Sequence, residues 1–310
     1  MPNKKKYIKR GKLLILGLIL SLLGAACQEP GQRQTEKDQL VITVSILPQA
    51  YFVERIGGEM VAVNVMVGPG EEAHTYEPKP EQMKMLSESQ VFFSIGVEYE
   101  ESWMPRFEEI NPEMIIVDSA AGIERIPMIS EHSHADEAGH TDEARMDPHV
   151  WLSPENGKII ARNILFTLQE LAPEQETSFQ ENYNVLIADI EALEGRINTI
   201  LSNLEQRTFM VFHPAWDYFA DQYNLEQISV QVGGQDPSAS ELAELVETAR
   251  QEDVRVIFVQ PSFSITGAQA VADEINGEVA VVDPLAKDWL VNLASAAEAF
   301  AAAMGKDQLH

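Results

Sequence analysis

An α/β fold of two lobes, each with a parallel sheet flanked by helices, joined by one long α-helix, is predicted by three features of this 310-residue chain. From residue 40 onward, short apolar runs alternate with stretches of helical spacing. The same rhythm recurs in a second half, and one long apolar stripe of helical period lies between the two. Strands that alternate with helices pair in parallel, and the intervening helices cover the sheet faces.

The first element is a leader. Lys4, Lys5, Lys6, Lys9, Arg10 and Lys12 form a positive segment, followed by an apolar run over 13–23. That run is too short for a helical membrane span, which needs about 20 apolar residues, and reads as the core of a signal peptide over 1–26. Gly24-Ala25-Ala26 then precede Cys27, the only cysteine. The arrangement resembles a lipobox, with Gly24 where Leu is usual, and makes Cys27 the expected lipid attachment point. Ordinary secretory cleavage with an incidental Cys27 is the alternative. The polar stretch 27–39 is an expected tether. One cysteine forms no internal disulfide, so stability must come from burial.

The formal charge is −27, and setting aside the six basic leader residues leaves 16 of the 22 basic residues against 49 acidic ones. Such a balance excludes nucleic acid as a partner, because phosphates would be repelled.

In the N-terminal lobe, 40–172, strands are expected at 40–46, 61–67, 91–95 and 114–118. Helices are expected at 49–56, behind Pro48, and at 81–89, behind Pro78 and Pro80. In the C-terminal lobe, 208–310, strands are expected at 208–212, 227–230, 254–260 and 279–283, and helices at 215–223, 240–252, 266–276 and 288–303. Between them, over 173–207, Phe179, Tyr183, Leu186, Ile190, Leu193, Ile197, Ile200 and Leu204 recur in steps of four and three. They form one helical stripe opened by Pro173, on the order of 50 Å long at 1.5 Å per residue. A coiled-coil dimer seam would show the same spacing, but α/β patterns on both sides favour a helix lying across both lobes.

Histidine placement carries the chemistry. His132, His134 and His140 fall in the acidic low-complexity stretch "EHSHADEAGHTDEARMDPH" (131–149), a candidate accessory zinc-capturing loop or a plain spacer. Three others sit at the ends of elements. His74 follows the second strand in "EEAHTYEP", His149 precedes Trp151 and a proline-started helix in "MDPHVWLSP", and His213 follows a strand in "FHPAWDYFA". Asp283, in "VVDPLA", ends the last strand of the pattern. Ligands of α/β folds collect outside the carboxyl ends of strands, so two candidates from each half would meet in the cleft between lobes. Three imidazoles and a carboxylate suit a borderline-soft divalent cation such as Zn²⁺.

The ordered motifs "HTYEP", "DPHVWLSP", "FHPAWDYFA", "QDPSASEL", "VQPSFS" and "VVDPLA" resemble the zinc-binding members of the metal-specific substrate-binding proteins of ABC transporters, from about residue 40 to the C-terminus. The resemblance implies two lobes joined by a long helix, with metal ligands at His74, His149, His213 and Asp283. Histidine rather than glutamate at the third position points to zinc rather than manganese. Also implied are capture outside the cytoplasmic membrane, in the periplasm or at the cell surface, delivery of zinc to an ABC transporter permease, and a monomeric, non-enzymatic protein. Four residues depart from the family pattern: Glu72 stands for Asp, Ala73 for Pro, Asp217 for Gly and Gln260 for Glu. A zinc hydrolase is the first alternative, although no H-E-x-x-H helix is present and all four ligands are engaged. A manganese-binding or adhesin-like member of the same family is the second. Because protons compete with metal for imidazole, zinc affinity is expected to fall steeply below about pH 6.5.

Overall fold

The computed structural model describes residues 39–128, 146–231, 238–263 and 265–305. The leader, Cys27 and the tether up to residue 38, together with His132, His134 and His140, lie outside the described residues.

Both predicted sheets are present. The first comprises β1 (Leu40–Ile46), β2 (Val61–Val67), β3 (Val91–Ser94) and β4 (Ile115–Asp118), in the order β2-β1-β3-β4, all parallel. The second comprises β5 (Thr208–Val211), β6 (Glu226–Ser229), β7 (Val256–Val259) and β8 (Glu278–Val281). It repeats the order as β6-β5-β7-β8, again all parallel. Central strands covered on both faces read as continuous apolar runs, as β3 and β7 do, whereas the outer strands β4 and β8 keep exposed ends. In each sheet all strands run the same way, and the strand order reverses between the first and third strands. The carboxyl ends there are where such sheets hold ligands.

Helices α1 (Leu47–Gly57), α2 (Pro80–Leu86) and α3 (Glu98–Ile110) belong to the first half. Helices α4 (Pro154–Leu171) and α5 (Glu176–Leu201) follow, and α6 (Asp217–Tyr223), α7 (Ala239–Gln251), α8 (Ile265–Ile275) and α9 (Trp289–Met304) complete the second half. Helix α3 has no counterpart in the sequence reading because Pro105 interrupts it and three glutamates fill its first turn. Its apolar spacing, Tyr99, Trp103 and Phe107, is nonetheless helical.

The long helix is shorter than the predicted 173–207. Residues Pro173–Gln175 form a 3-10 turn, and α5 then runs 26 residues, about 39 Å. At the far end the Arg207 guanidinium donates to the carbonyls of Leu201, Tyr223 and Asn224. One cation thereby neutralises the carboxyl ends of both α5 and α6. The predicted stripe is buried within the chain. Phe179, Leu186, Ile190, Leu193 and Ile197 are covered, and α5 packs on α1 and α4 on one side and α9 on the other. Its apolar face is consumed by helices from both halves, as a joining helix requires.

A single apolar core runs through both halves, with a second, smaller cluster on the far face of the second sheet. The contact between halves is specific. Trp289 of α9 packs on Phe52 of α1 with ring centroids 4.8 Å apart, and its Nε1 donates to the Trp151 carbonyl at 2.6 Å. Trp151 in turn donates Nε1 to the Pro284 carbonyl at 2.7 Å. A Cβ on Gly157 would stand 2.5 Å from Trp289 Cη2, so α4 approaches this indole through a residue without a side chain.

Candidate metal centre

His74 is delivered by the loop after β2. Glu71 accepts the Gly68 N–H at 2.8 Å and closes the turn, while Glu72 Oε1 accepts the His74 N–H at 3.0 Å. Further along, Gln82 ties the loop to the sheet, accepting from Tyr76 Oη and donating to the carbonyls of Val65 and Met66. His149 stands at the head of the 3-10 turn Val150–Leu152, with its backbone N–H on Asp147 Oδ1 at 2.9 Å. His213 lies two residues beyond β5, its ring stacked on Phe263 at 5.2 Å and 19°.

The three imidazoles converge. One nitrogen from each lies within 4.8 Å of the other two, and the Nε2 atoms of His74 and His213 are 3.0 Å apart. Each Nδ1 meets an oxygen acceptor: Glu98 Oε2 at 3.1 Å for His74, Asp147 Oδ1 at 2.7 Å for His149, and Gln231 Oε1 at 2.9 Å for His213. An acceptor at Nδ1 places the proton there and leaves the lone pair on Nε2. At 3.0 Å the two Nε2 atoms are within hydrogen-bonding distance, and with both lone pairs free a single cation could take both. Tetrahedral zinc with 2.0–2.1 Å bonds separates its nitrogens by about 3.3 Å, close to what is present.

The acceptors are themselves held in place. Glu100 caps the turn between β3 and α3, accepting the N–H groups of Ile95 and Gly96 at 2.9 and 2.8 Å and the hydroxyl of Ser45. The turn needs Gly96, whose φ is +93°. Burial pushes the Glu100 carboxyl up to about 7, partly offset by Ser45 and the two N–H groups. This capped turn sets Glu98 at the start of α3 against His74. Gln231 reaches His213 because β5–β6 pairing continues past the strands, through Val230 N–H to the Val211 carbonyl and Gln231 N–H to the Phe212 carbonyl.

Burial, and the neighbouring His149 and His74 rings, depress His213 to about 3. It is therefore neutral throughout the physiological range, the form a metal ligand requires. Beside the site lies a cavity of about 610 Å³ lined by Glu98, Glu101, Glu108 and Pro148, among others. Its negative potential favours cations over anions.

Asp283 is not among the three converging residues. β8 ends at Val281 rather than at residue 283, and Asp283 lies in the following loop with Oδ1 accepting the Leu285 N–H at 2.9 Å. Burial raises its carboxyl above the usual range, and that N–H offsets part of the rise. Its neighbours Pro284 and Leu285 do line a small cavity with His74 and His149.

The sequence model of the family described as zinc-uptake complex component A, periplasmic (ZnuA), matches residues 42–303. The chain belongs to this family. It is 29% identical over 292 residues to a putative metal-binding protein of Chlamydia trachomatis, covering 93% of this chain and 99% of that one. It is 28% identical over 272 residues to the high-affinity zinc uptake system protein ZnuA of Bacillus subtilis, covering 85% of each. A crystal structure of ZnuA superposes with a TM-score of 0.79 at 41% identity, over 86% of this chain and 99% of that one. The zinc-binding lipoprotein AdcA of Streptococcus pneumoniae is 27% identical over 280 residues, and this chain spans 54% of its length. Family membership makes the chain a metal-specific solute-binding protein of the zinc-uptake type.

Sequence reasoning found the three histidines but missed their acceptors Glu98, Asp147 and Gln231. Only Asp147 carried a local signal, two residues before His149 in the D-P-H motif. It also missed the consequence of Asp217. Asp217 is buried, with Oδ1 accepting from Gln227 Nε2 at 2.5 Å and Oδ2 without a hydrogen-bond partner among the described residues. Burial and the negative charge of Asp147 push its carboxyl up to about 7, against the opposing Gln227 contact. A carboxyl raised this way holds its proton in the folded state between about pH 4 and pH 7. Stability therefore falls as pH rises across that window, and the penalty is complete above it. Asp217→Asn is expected to be more stable than the wild type by roughly 2–4 kcal/mol at pH 8. The gain should shrink toward pH 5 in thermal melts of the metal-free protein. An equal gain at both pH values would count against a charged, buried Asp217.

Proposed function

We propose that this protein captures Zn²⁺ outside the cytoplasmic membrane and delivers it to the permease of an ABC transporter. The observation that carries this reading is the convergence of three imidazoles, one nitrogen of each within 4.8 Å of the others, whose Nδ1 atoms all lie beside oxygen acceptors. Nitrogen donors in tetrahedral reach suit zinc better than the harder manganese ion. His74, His149 and His213 are the ligands in this reading. Asp283 is the fourth, one residue from the cavity that His74 and His149 line. A hydrolase would need a position kept for reactive water and a general base beside it, and the nearby carboxylates Glu98 and Asp147 are already engaged with His74 and His149.

The test is elemental analysis of protein purified without added metal, followed by zinc–manganese competition between pH 8 and pH 5, with esters and peptides tried as substrates. One tightly held zinc per chain is expected, displaced poorly by manganese, with no turnover. Because His213 stays neutral to about 3, it brings no competing proton above about pH 4. The affinity should then fall by no more than about 100-fold per pH unit, rather than the roughly 1000-fold that three titrating imidazoles would give. Preferred manganese, or turnover, would overturn the reading.

Cys27 is the proposed lipid anchor, tested by release of a Cys27→Ser variant from membrane fractions. His132, His134 and His140 are proposed as weaker accessory zinc ligands, tested by whether deleting 131–146 lowers total zinc stoichiometry.

A further inference from the structure

Gln260 follows β7 directly and so sits beside β5, the strand that leads to His213. It is 7% exposed, and its Nε2 has no hydrogen-bond partner among the described residues. Leaving a buried amide donor unsatisfied costs about 1–3 kcal/mol, and such groups in a folded protein call for an explanation. Gln260 lines a cavity of about 10 Å³ together with Glu72, His74, His149, Pro284 and Leu285. That volume is about one water molecule or one ligand atom. Gln260 thus borders a space for a single oxygen, next to two of the three converging imidazoles.

We infer that the side-chain amide of Gln260 holds the oxygen ligand that completes the metal's coordination at His74, His149 and His213. The inference rests on the zinc-capture reading and deepens it. An oxygen bound to a divalent cation keeps a second lone pair, which an N–H can engage without adding charge. Glu72 and Glu98 already bring two carboxylates to the site. A third carboxylate at position 260 would itself compete for the metal and favour harder cations. Gln260 is therefore a positioning residue that keeps the site selective for zinc. The oxygen is that of the Asp283 carboxylate, whose next residues border the same cavity, and a bound water is the other outcome of the test.

The test uses the full chain with two variants, Gln260→Met, which removes the amide at similar volume, and Gln260→Glu. Zinc affinity is read by chelator competition and coordination by the visible absorption of the Co²⁺ form. Gln260→Met should bind zinc about tenfold more weakly, the usual scale for loss of a partner to a metal ligand, and shift the Co²⁺ bands. Its metal-free melting temperature should hold or rise, because an orphaned donor has been removed. Gln260→Glu should move the zinc–manganese preference toward manganese. Wild-type zinc affinity and an unchanged Co²⁺ spectrum in Gln260→Met would overturn the inference. So would a lowered metal-free melting temperature with unaltered affinity, which is what a merely structural residue gives. If the wild type itself bound neither zinc nor cobalt, the zinc-capture reading would fall with it. Combining Gln260→Met with Asp283→Asn identifies the oxygen: non-additive losses assign the Asp283 carboxylate, and additive losses assign water.

Discussion

Replacing His213 with alanine is expected to weaken zinc binding by more than about 100-fold, since losing only a partner of a metal ligand already costs about 10–100-fold. The imidazole is one of three that converge, and its Nε2 lies 3.0 Å from that of His74. Two imidazoles and an oxygen cannot fill the tetrahedral set that zinc favours. The fold should survive. His213 sits beyond the end of β5, so its side chain is not needed for the strand pairing. Opposite in sign to Asp217, His213 should contribute a loss of stability to the metal-free wild type as pH falls from about 6.5 toward 3, because the unfolded chain takes up a proton that folded His213 refuses. In His213→Ala that contribution should vanish. Chelator competition and acid melts of the two proteins check both statements, and full zinc affinity in the variant would remove His213 from the ligand set.

Trp289→Ala should cost about 3–5 kcal/mol of stability, the usual range for deleting a large buried aromatic side chain. The indole is buried against Phe52, closes on Gly157 and donates to the Trp151 carbonyl. Its loss therefore opens a cavity between α1, α4 and α9 and frees the segment that carries His149. Zinc affinity should fall as well, because Trp151 lies beside His149, with ring centroids 5.4 Å apart, and holds the Pro284 carbonyl. Urea unfolding is the measurement, with a lowered midpoint at unchanged slope. Gly157→Ala should act in the same direction through overpacking, by about 1–3 kcal/mol. An unaltered midpoint in Trp289→Ala would mean that the two halves are held together elsewhere.

Much of this molecule is written locally. The apolar runs of β1 to β8 and the stripe of α5 depend only on residue spacing, so period alone predicts them. His74, His149 and His213 could be singled out because each sits in a short motif at the end of an element. Their convergence needed the two sheets to repeat one strand order, and alternation of β and α already implied parallel sheets.

Tertiary structure decided what depends on contacts between distant segments. Gln231 meets His213 through strand register, Glu98 meets His74 through a capped turn around Gly96, and α3 forms despite Pro105. Asp283 drew attention as a strand terminus, yet its carboxylate turns to the Leu285 N–H, a local bond that β8's early end permits. Gln260 looked like a minor departure from the family pattern until burial left its Nε2 without a partner among the described residues, beside a cavity of one-water size. Residue type and spacing thus determined the candidate donors. Which oxygen accepts each proton, and which amide is orphaned, follow from desolvation and register, which exist only once distant segments have packed.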